Sequence, residues 1–138
     1  MSISRAMTYA KMNTVTGIDS ADPHTLVQML LDGAIEKINK AKYSIKSQQT
    51  NKKGEFISWA ISIIGGLQAS LDIEKGGEVA QNLNDLYEFS VQHLVDANIE
   101  NSEEKLDNVL KVLTNISDGW KGIREEVVES KKNNANSL

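Results

Sequence analysis

The sequence predicts an all-α protein: an antiparallel four-helix bundle with a short N-terminal arm or extra short helix. Three observations carry that prediction. Apolar residues recur at helical spacing along four separate stretches, no stretch alternates with the period of two that a strand requires, and short polar or glycine-containing breaks separate the stretches. At 138 residues the chain is long enough for one domain with a real core and too short for two comfortable ones. The expected division is an arm over 1–21, the bundle over 22–130 and a disordered polar tail over 131–138.

The first helix is expected from about 23 to 48. Asp22 is its N-cap, and Pro23, the single proline, takes the first helical position, where a missing N–H costs nothing. Leu26, Val27, Leu30, Leu31, Ala34, Ile35, Ile38, Ala41 and Ile45 form its stripe, while Met29 and Tyr43 project from the far side. The polar run SQQTNKKG connects it to the second helix, which is expected to continue to the Gly76-Gly77 pair.

That second helix is unusually apolar. Phe56, Ile57, Ala60, Ile64, Leu67 and Leu71 make one stripe, with Trp59 and Ile63 on one flank and Ile61 on the other. The arc spans roughly 200°, where a helix with one solvated face shows little more than about 100°. Such a helix is either buried on most sides or keeps a strip for a partner. Trp59 and Ile63 are the candidates for a partner groove, and an equally good wheel argument buries Trp59 inside the bundle. Gly65-Gly66 admits two readings of the same kind, a close helix–helix approach or a trough for a partner helix.

The third helix is expected over about 78–98, with Ala80, Leu83, Tyr87, Val91 and Leu94 at helical spacing. Asn101 is then expected to cap the fourth helix, with Glu104 completing a capping box and Glu103 at the positive end of the helix. Leu106, Val109, Leu110, Leu113, Ile116, Trp120, Ile123 and Val127 carry that helix to about residue 130. Residues 1–21 differ, since Met7, Tyr9, Met12, Val15 and Ile18 are scattered among Thr, Asn, Ser and Gly. That composition suits a frayed terminus and a detachable cover for an apolar groove equally well.

Composition excludes several kinds of chemistry. With no cysteine there is no disulfide, thiolate metal site or thiol nucleophile. The formal net charge is −4, and Lys and Arg are not clustered to follow a phosphate backbone, so no nucleic-acid partner is expected. No apolar run approaches the roughly 18 residues of a membrane span, and the N-terminus lacks the apolar core of a signal peptide. The expected location is the cytoplasm, without membrane insertion.

A di-iron bundle needs Glu-x-x-His pairs, and neither His24 nor His93 has Glu three residues before it, so no metal is expected. His93 could be the reactive histidine of a phosphotransfer bundle. Asp96 one turn on would repel an incoming phosphoryl group, and the lysine and glycine that follow that histidine in phosphotransfer proteins are replaced by Asp96 and Ala97. No serine sits in a strand-to-helix elbow, and the Gly-Gly pairs lack the Lys-Ser/Thr of a phosphate loop. Neither catalysis nor a cofactor is expected. What remains is apolar surface, which points to helix-in-groove recognition.

The stretches ADPHTLVQMLLDGAIEKINKAK, AISIIGGLQASLDIEKGGEVAQNLNDLYEFSVQHLVDANIEN and NISDGWKGIREE resemble the flagellar export chaperone family, FliS. The likeness covers roughly residues 5–124, and LDIEKGGEVAQNL with the following LYEF is its most specific part. The resemblance implies a cytoplasmic helical bundle that binds the C-terminal segment of unassembled flagellin in apolar grooves. It implies prevention of premature polymerisation and delivery to the flagellar type III export gate, with the arm covering part of the groove and an arm tyrosine docking to the gate protein. Tyr9 matches that tyrosine. The hydrophobic residue usual three positions before it is here Ala6, with Met7 adjacent. The expected flagellin-binding residues are Met29, Trp59 and Ile63, and those of the arm are Met7 and Tyr9. The reading from a different class is a regulatory bundle that binds another export-linked factor.

Overall fold

A computed structural model describes the backbone of residues 22–136 and the side chains up to residue 123. The arm over 1–21, including Met7 and Tyr9, lies outside the described residues. Four helices follow one another: α1 (Pro23–Lys46), α2 (Thr50–Ala69), α3 (Ile73–Glu100) and α4 (Glu103–Asn136). No strand occurs among the described residues.

The caps explain where each helix starts. Asp22 Oδ1 accepts from the Thr25 backbone N–H and from its hydroxyl, both at 2.8 Å, with Pro23 in the first turn as expected. α2 ends at Ala69, not at Gly76-Gly77. Ser70 closes it, and Asp72 caps α3 by accepting from Lys75 N–H at 3.0 Å, so the local hydrogen-bonding chemistry of Ser and Asp sets the break ahead of the glycines. Leu71 thus belongs to the turn rather than to the stripe of α2. Gly77 instead kinks α3, at φ 56° and ψ −132°, a combination essentially reserved for glycine.

The next junction also differs from expectation. Asn101 is the left-handed C-cap of α3, at φ 53°, and Ser102 is the N-cap of α4, its hydroxyl accepting from Lys105 N–H at 3.1 Å. Asn tolerates that conformation better than most residues, and Ser satisfies the N-cap one position later. At its far end α4 continues to Asn136, past the expected stop near 130, since residues 123–136 contain neither Gly nor Pro to break it.

Side-chain pairs fix every neighbouring helix pair as antiparallel. Lys37 and Lys40 of α1 lie over Trp59 and Phe56 of α2, and Lys53 and Gln68 of α2 reach Asn98 and Asn84 of α3. Lys105 at the start of α4 pairs with Asp96 and Glu100 late in α3. Between α4 and α1 the register runs Lys46–Glu103, Lys42–Asp107, Gln28–Ser117 and His24–Trp120. The helices therefore form a closed ring, α1–α2–α3–α4. Its core is Leu31, Ala34, Ile38 and Ala41 from α1, Ile57, Ala60, Ile63, Ile64 and Leu67 from α2, Tyr87, Leu94 and Ala97 from α3, and Leu106, Val109 and Leu113 from α4.

Two polar features lock the ends of the ring. His24 and Trp120 stack at 4.4 Å, 10° from coplanar, with the Trp120 indole N–H donating to His24 O and His24 Nε2 against Trp120 O, each at 2.8 Å. At the opposite end buried Lys53 donates from Nζ to Asn98 O at 2.9 Å and to the Asn101 side chain, placing a cation on the C-terminus of α3.

Candidate partner-binding surface

The structure separates the expected site residues. Ile63 is 0 % exposed in the core, so the strip once open to a partner is filled by the bundle itself at that position. The wheel places Ile63 correctly on a flank of α2, but neighbouring helices reach around that flank. Trp59 is half-buried against the core, and the Lys37 ammonium lies 4.0 Å from its ring centroid. Its indole N–H is buried without a hydrogen-bond partner among the described residues. Met29 is half-buried on α1.

Open apolar surface lies elsewhere. A groove of about 710 Å³ runs between the second half of α1 and the start of α2, lined by Ile35, Asn39, Lys40, Tyr43, Lys52 and Phe56 among others. Tyr43 is 68 % exposed there, in agreement with its expected outward direction. The side chains of Ile35 and Phe56 rest on the core from the groove side, so its floor is rigid and apolar. Glu36 bonds to Lys40 at 2.9 Å along one wall, and that bond holds the Glu36 carboxyl below the usual carboxylate range.

A second cleft, of about 370 Å³, opens where the kinked start of α3 meets the ends of α1 and α4. Val27, Leu71, Val79, Leu83, Tyr87 and Trp120 line it. Burial pushes the Tyr87 phenol up to about 12. The Gly77 kink shapes this mouth by turning the first turn of α3, and the next glycine back is needed for fit: a Cβ on Gly76 would meet that of Ala80 at 2.6 Å.

The helix that carries most surplus apolar surface is α3. Ile73, Val79, Leu86, Phe89, Val95 and Ile99 are all exposed there. The sequence contains the signal: these residues fall off the Ala80–Leu83–Tyr87–Leu94 stripe, and LYEF puts apolar groups on three sides of one turn. Counting only the stripe misses them.

The two histidines sit in different surroundings. His93 is half-buried against Phe89, with ring centroids 4.1 Å apart, and shares its surface depression with Asp85, Glu88 and Asp96. Three carboxylates there oppose approach of a phosphoryl anion. His24 is engaged with Trp120. Among the described residues no three His, Asp or Glu side chains gather closely enough to hold a metal ion, and no helix is long and apolar enough to cross a membrane.

Comparison with known proteins gives a consistent set of relatives. The family model described as flagellar protein FliS matches residues 5–127. The flagellar secretion chaperone FliSB of Pseudomonas aeruginosa is 40% identical over 115 residues, which cover 83% of this chain and 91% of that protein. The flagellar secretion chaperone FliS of Salmonella typhimurium is 40% identical over 116 residues, covering 83% and 86%. That of Bacillus subtilis is 29% identical over 121 residues, covering 88% and 87%.

Proposed function

The chain belongs to the FliS family, and from that membership we propose that it is a cytoplasmic chaperone for flagellin export. It binds the C-terminal segment of unassembled flagellin, blocks premature polymerisation and presents its client to the flagellar type III export gate. It acts by binding, without catalysis or cofactor.

The observation that supports this reading best is the apolar groove between α1 and α2, floored by Ile35 and Phe56 and walled by exposed Tyr43. A rigid floor with an exposed aromatic wall suits an amphipathic segment that is unfolded before assembly. Such a client loses roughly 2–5 kcal/mol or more of ordering free energy on binding, so a long wrapped contact is needed to offset it. The end cleft at Trp120 supplies a second apolar patch for that wrapping. Trp59 and Met29, both half-buried and outside the groove lining, stand as further candidate contacts, whereas Ile63 is sealed in the core. Met7 and Tyr9 in the arm are assigned to docking at the gate protein.

Calorimetric titration with a peptide of about 40 residues from the flagellin C-terminus tests the proposal. Submicromolar one-to-one binding with a large negative heat-capacity change, weakened about tenfold or more by Tyr43→Ser with Phe56→Ser, is the expected result. Absence of binding up to about 100 μM refutes it.

A further inference from the structure

The outer face of α3 and its seam with α4 use none of the residues of the α1–α2 groove and share only Val79 with the end cleft, and their chemistry is different. At about 100° per residue, Val79, Leu86 and His93 fall within about 40° of one another, with Phe89 about 40° further round. Leu86 is 40 % and Phe89 41 % exposed. On α4, Val112, Ile116 and Ile123 share the face of Lys105, within about 40°. Lys105 reaches Asp96 and Glu100, so this face borders α3, and Ile123 on it is 49 % exposed. A Cβ added at Gly119, on the same edge, would meet nothing within 4 Å. The seam is thus an open apolar strip.

Carboxylates border that strip. α3 holds six acidic residues and a single lysine. Glu78, Asp85 and Asp96 line up within about 20° of each other on the outer side of the strip. On the outer side of α3, away from the seam and reaching Gln68 of α2, a depression of about 730 Å³ beside Phe89 and His93 is walled by Asp85, Glu88 and Asp96. Glu78, Asp85 and Glu88 make no ion pair among the described residues, whereas Lys105 meets both Asp96, at 3.8 Å, and Glu100, at 2.6 Å. Lysine concentrates instead on the α1–α2 hairpin, at positions 37, 40, 42, 46, 52 and 53. An apolar strip bordered by carboxylates, of which Glu78 and Asp85 make no ion pair among the described residues, repels anionic segments and complements a helix whose apolar stripe is flanked by Lys or Arg.

We infer that the α3–α4 face is a second docking surface, for a cationic amphipathic helix of a partner protein, distinct from the α1–α2 groove. The two faces differ in charge, so one chaperone can hold two segments of unlike chemistry at once.

The test uses the full chain and two synthetic amphipathic peptides of roughly 18 residues, long enough to hold a helix in water with support. Both carry the same Leu stripe, one flanked by Lys and the other by Glu. The Lys peptide is expected to bind one-to-one, at least about tenfold tighter than its Glu twin, and to weaken as salt shortens the range of the attraction. Leu86→Ser with Phe89→Ser is expected to abolish that binding. Asp85→Lys with Glu88→Lys, which leaves the strip intact, is expected to weaken it about tenfold. Circular dichroism of each variant confirms the fold, and these exposed sites leave it unaltered. Equal binding of the two peptides overturns the inference, as does binding that survives Leu86→Ser with Phe89→Ser, since any acidic protein attracts a cation. Self-association of the chain that the same pair of substitutions abolishes would make a second copy the occupant, and that also overturns it.

Discussion

Trp120→Ala should open the ring of helices at its one seam without a covalent connection. Trp120 is half-buried, so about half of the 3–5 kcal/mol that a buried aromatic loses on truncation applies, or about 2 kcal/mol. The indole N–H bond to His24 O adds about 1 kcal/mol, and the stack on His24 about 1 kcal/mol. The sum is a loss of about 4 kcal/mol, a large part of the stability of a domain this size. A double-mutant cycle with His24→Ala dissects it. Both hydrogen bonds end on backbone carbonyl oxygens, which survive substitution of the partner side chain. The coupling energy therefore isolates the ring–ring stack, and should be about 1 kcal/mol. Urea unfolding followed by far-UV circular dichroism measures all four corners of the cycle. Additivity within about 0.3–0.5 kcal/mol would refute the stack as a stabilising contact. A loss below about 1 kcal/mol in Trp120→Ala alone would refute the seam as structurally important.

Ile63→Ala should cost about 2–5 kcal/mol by leaving a cavity in the core, which urea unfolding reads; a well-folded variant with normal stability and weak client binding would return Ile63 to the binding surface. Gly77→Ala should cost about 1–3 kcal/mol because alanine is strained at φ 56° and ψ −132°, and a melting curve that matches the parent would show the kink is optional. Tyr87 adds a pH dependence. Its folded pKa is raised from 10.0 to about 12, so its contribution is fully present below pH 10.0 and is lost as pH rises through about 12. That loss amounts to about 2–3 kcal/mol. The comparison is with Tyr87→Phe, whose stability should fall less steeply; parallel curves would show that burial does not raise this phenol.

The parts of the fold legible in the sequence were those decided locally. Asp22-Pro23 reads as a helix start because the capping acceptor and the missing N–H act within three residues. The α2–α3 break was harder, because Gly76-Gly77 has the composition of a terminator while Ser70 and Asp72 do the capping. Asn101 and Ser102 are both capping residues, and backbone geometry alone decides that the first ends α3 and the second begins α4. Surface was the least legible property. A helical wheel orders residues around an axis and says nothing of how far the neighbours reach. It therefore could not reveal that α1 lays Lys37 across Trp59, that Ile63 is sealed, or that Leu86 and Phe89 are left open on α3.

The closed ring also sets an order of assembly. Turns of a few residues join α1 to α2, α2 to α3 and α3 to α4, so each of those seams forms between chain neighbours. His24 and Trp120 stand 96 positions apart. Logarithmic scaling of loop-closure entropy makes joining such distant points costlier than closing a three-residue turn, by up to about 3 kcal/mol for a flexible chain. The α4–α1 seam is accordingly the last to form and the first to part. Amide protons in the first turns of α1 should exchange with solvent before those around Leu31 or Ile64, and they do so by a swing of one outer helix that leaves the other three seams intact.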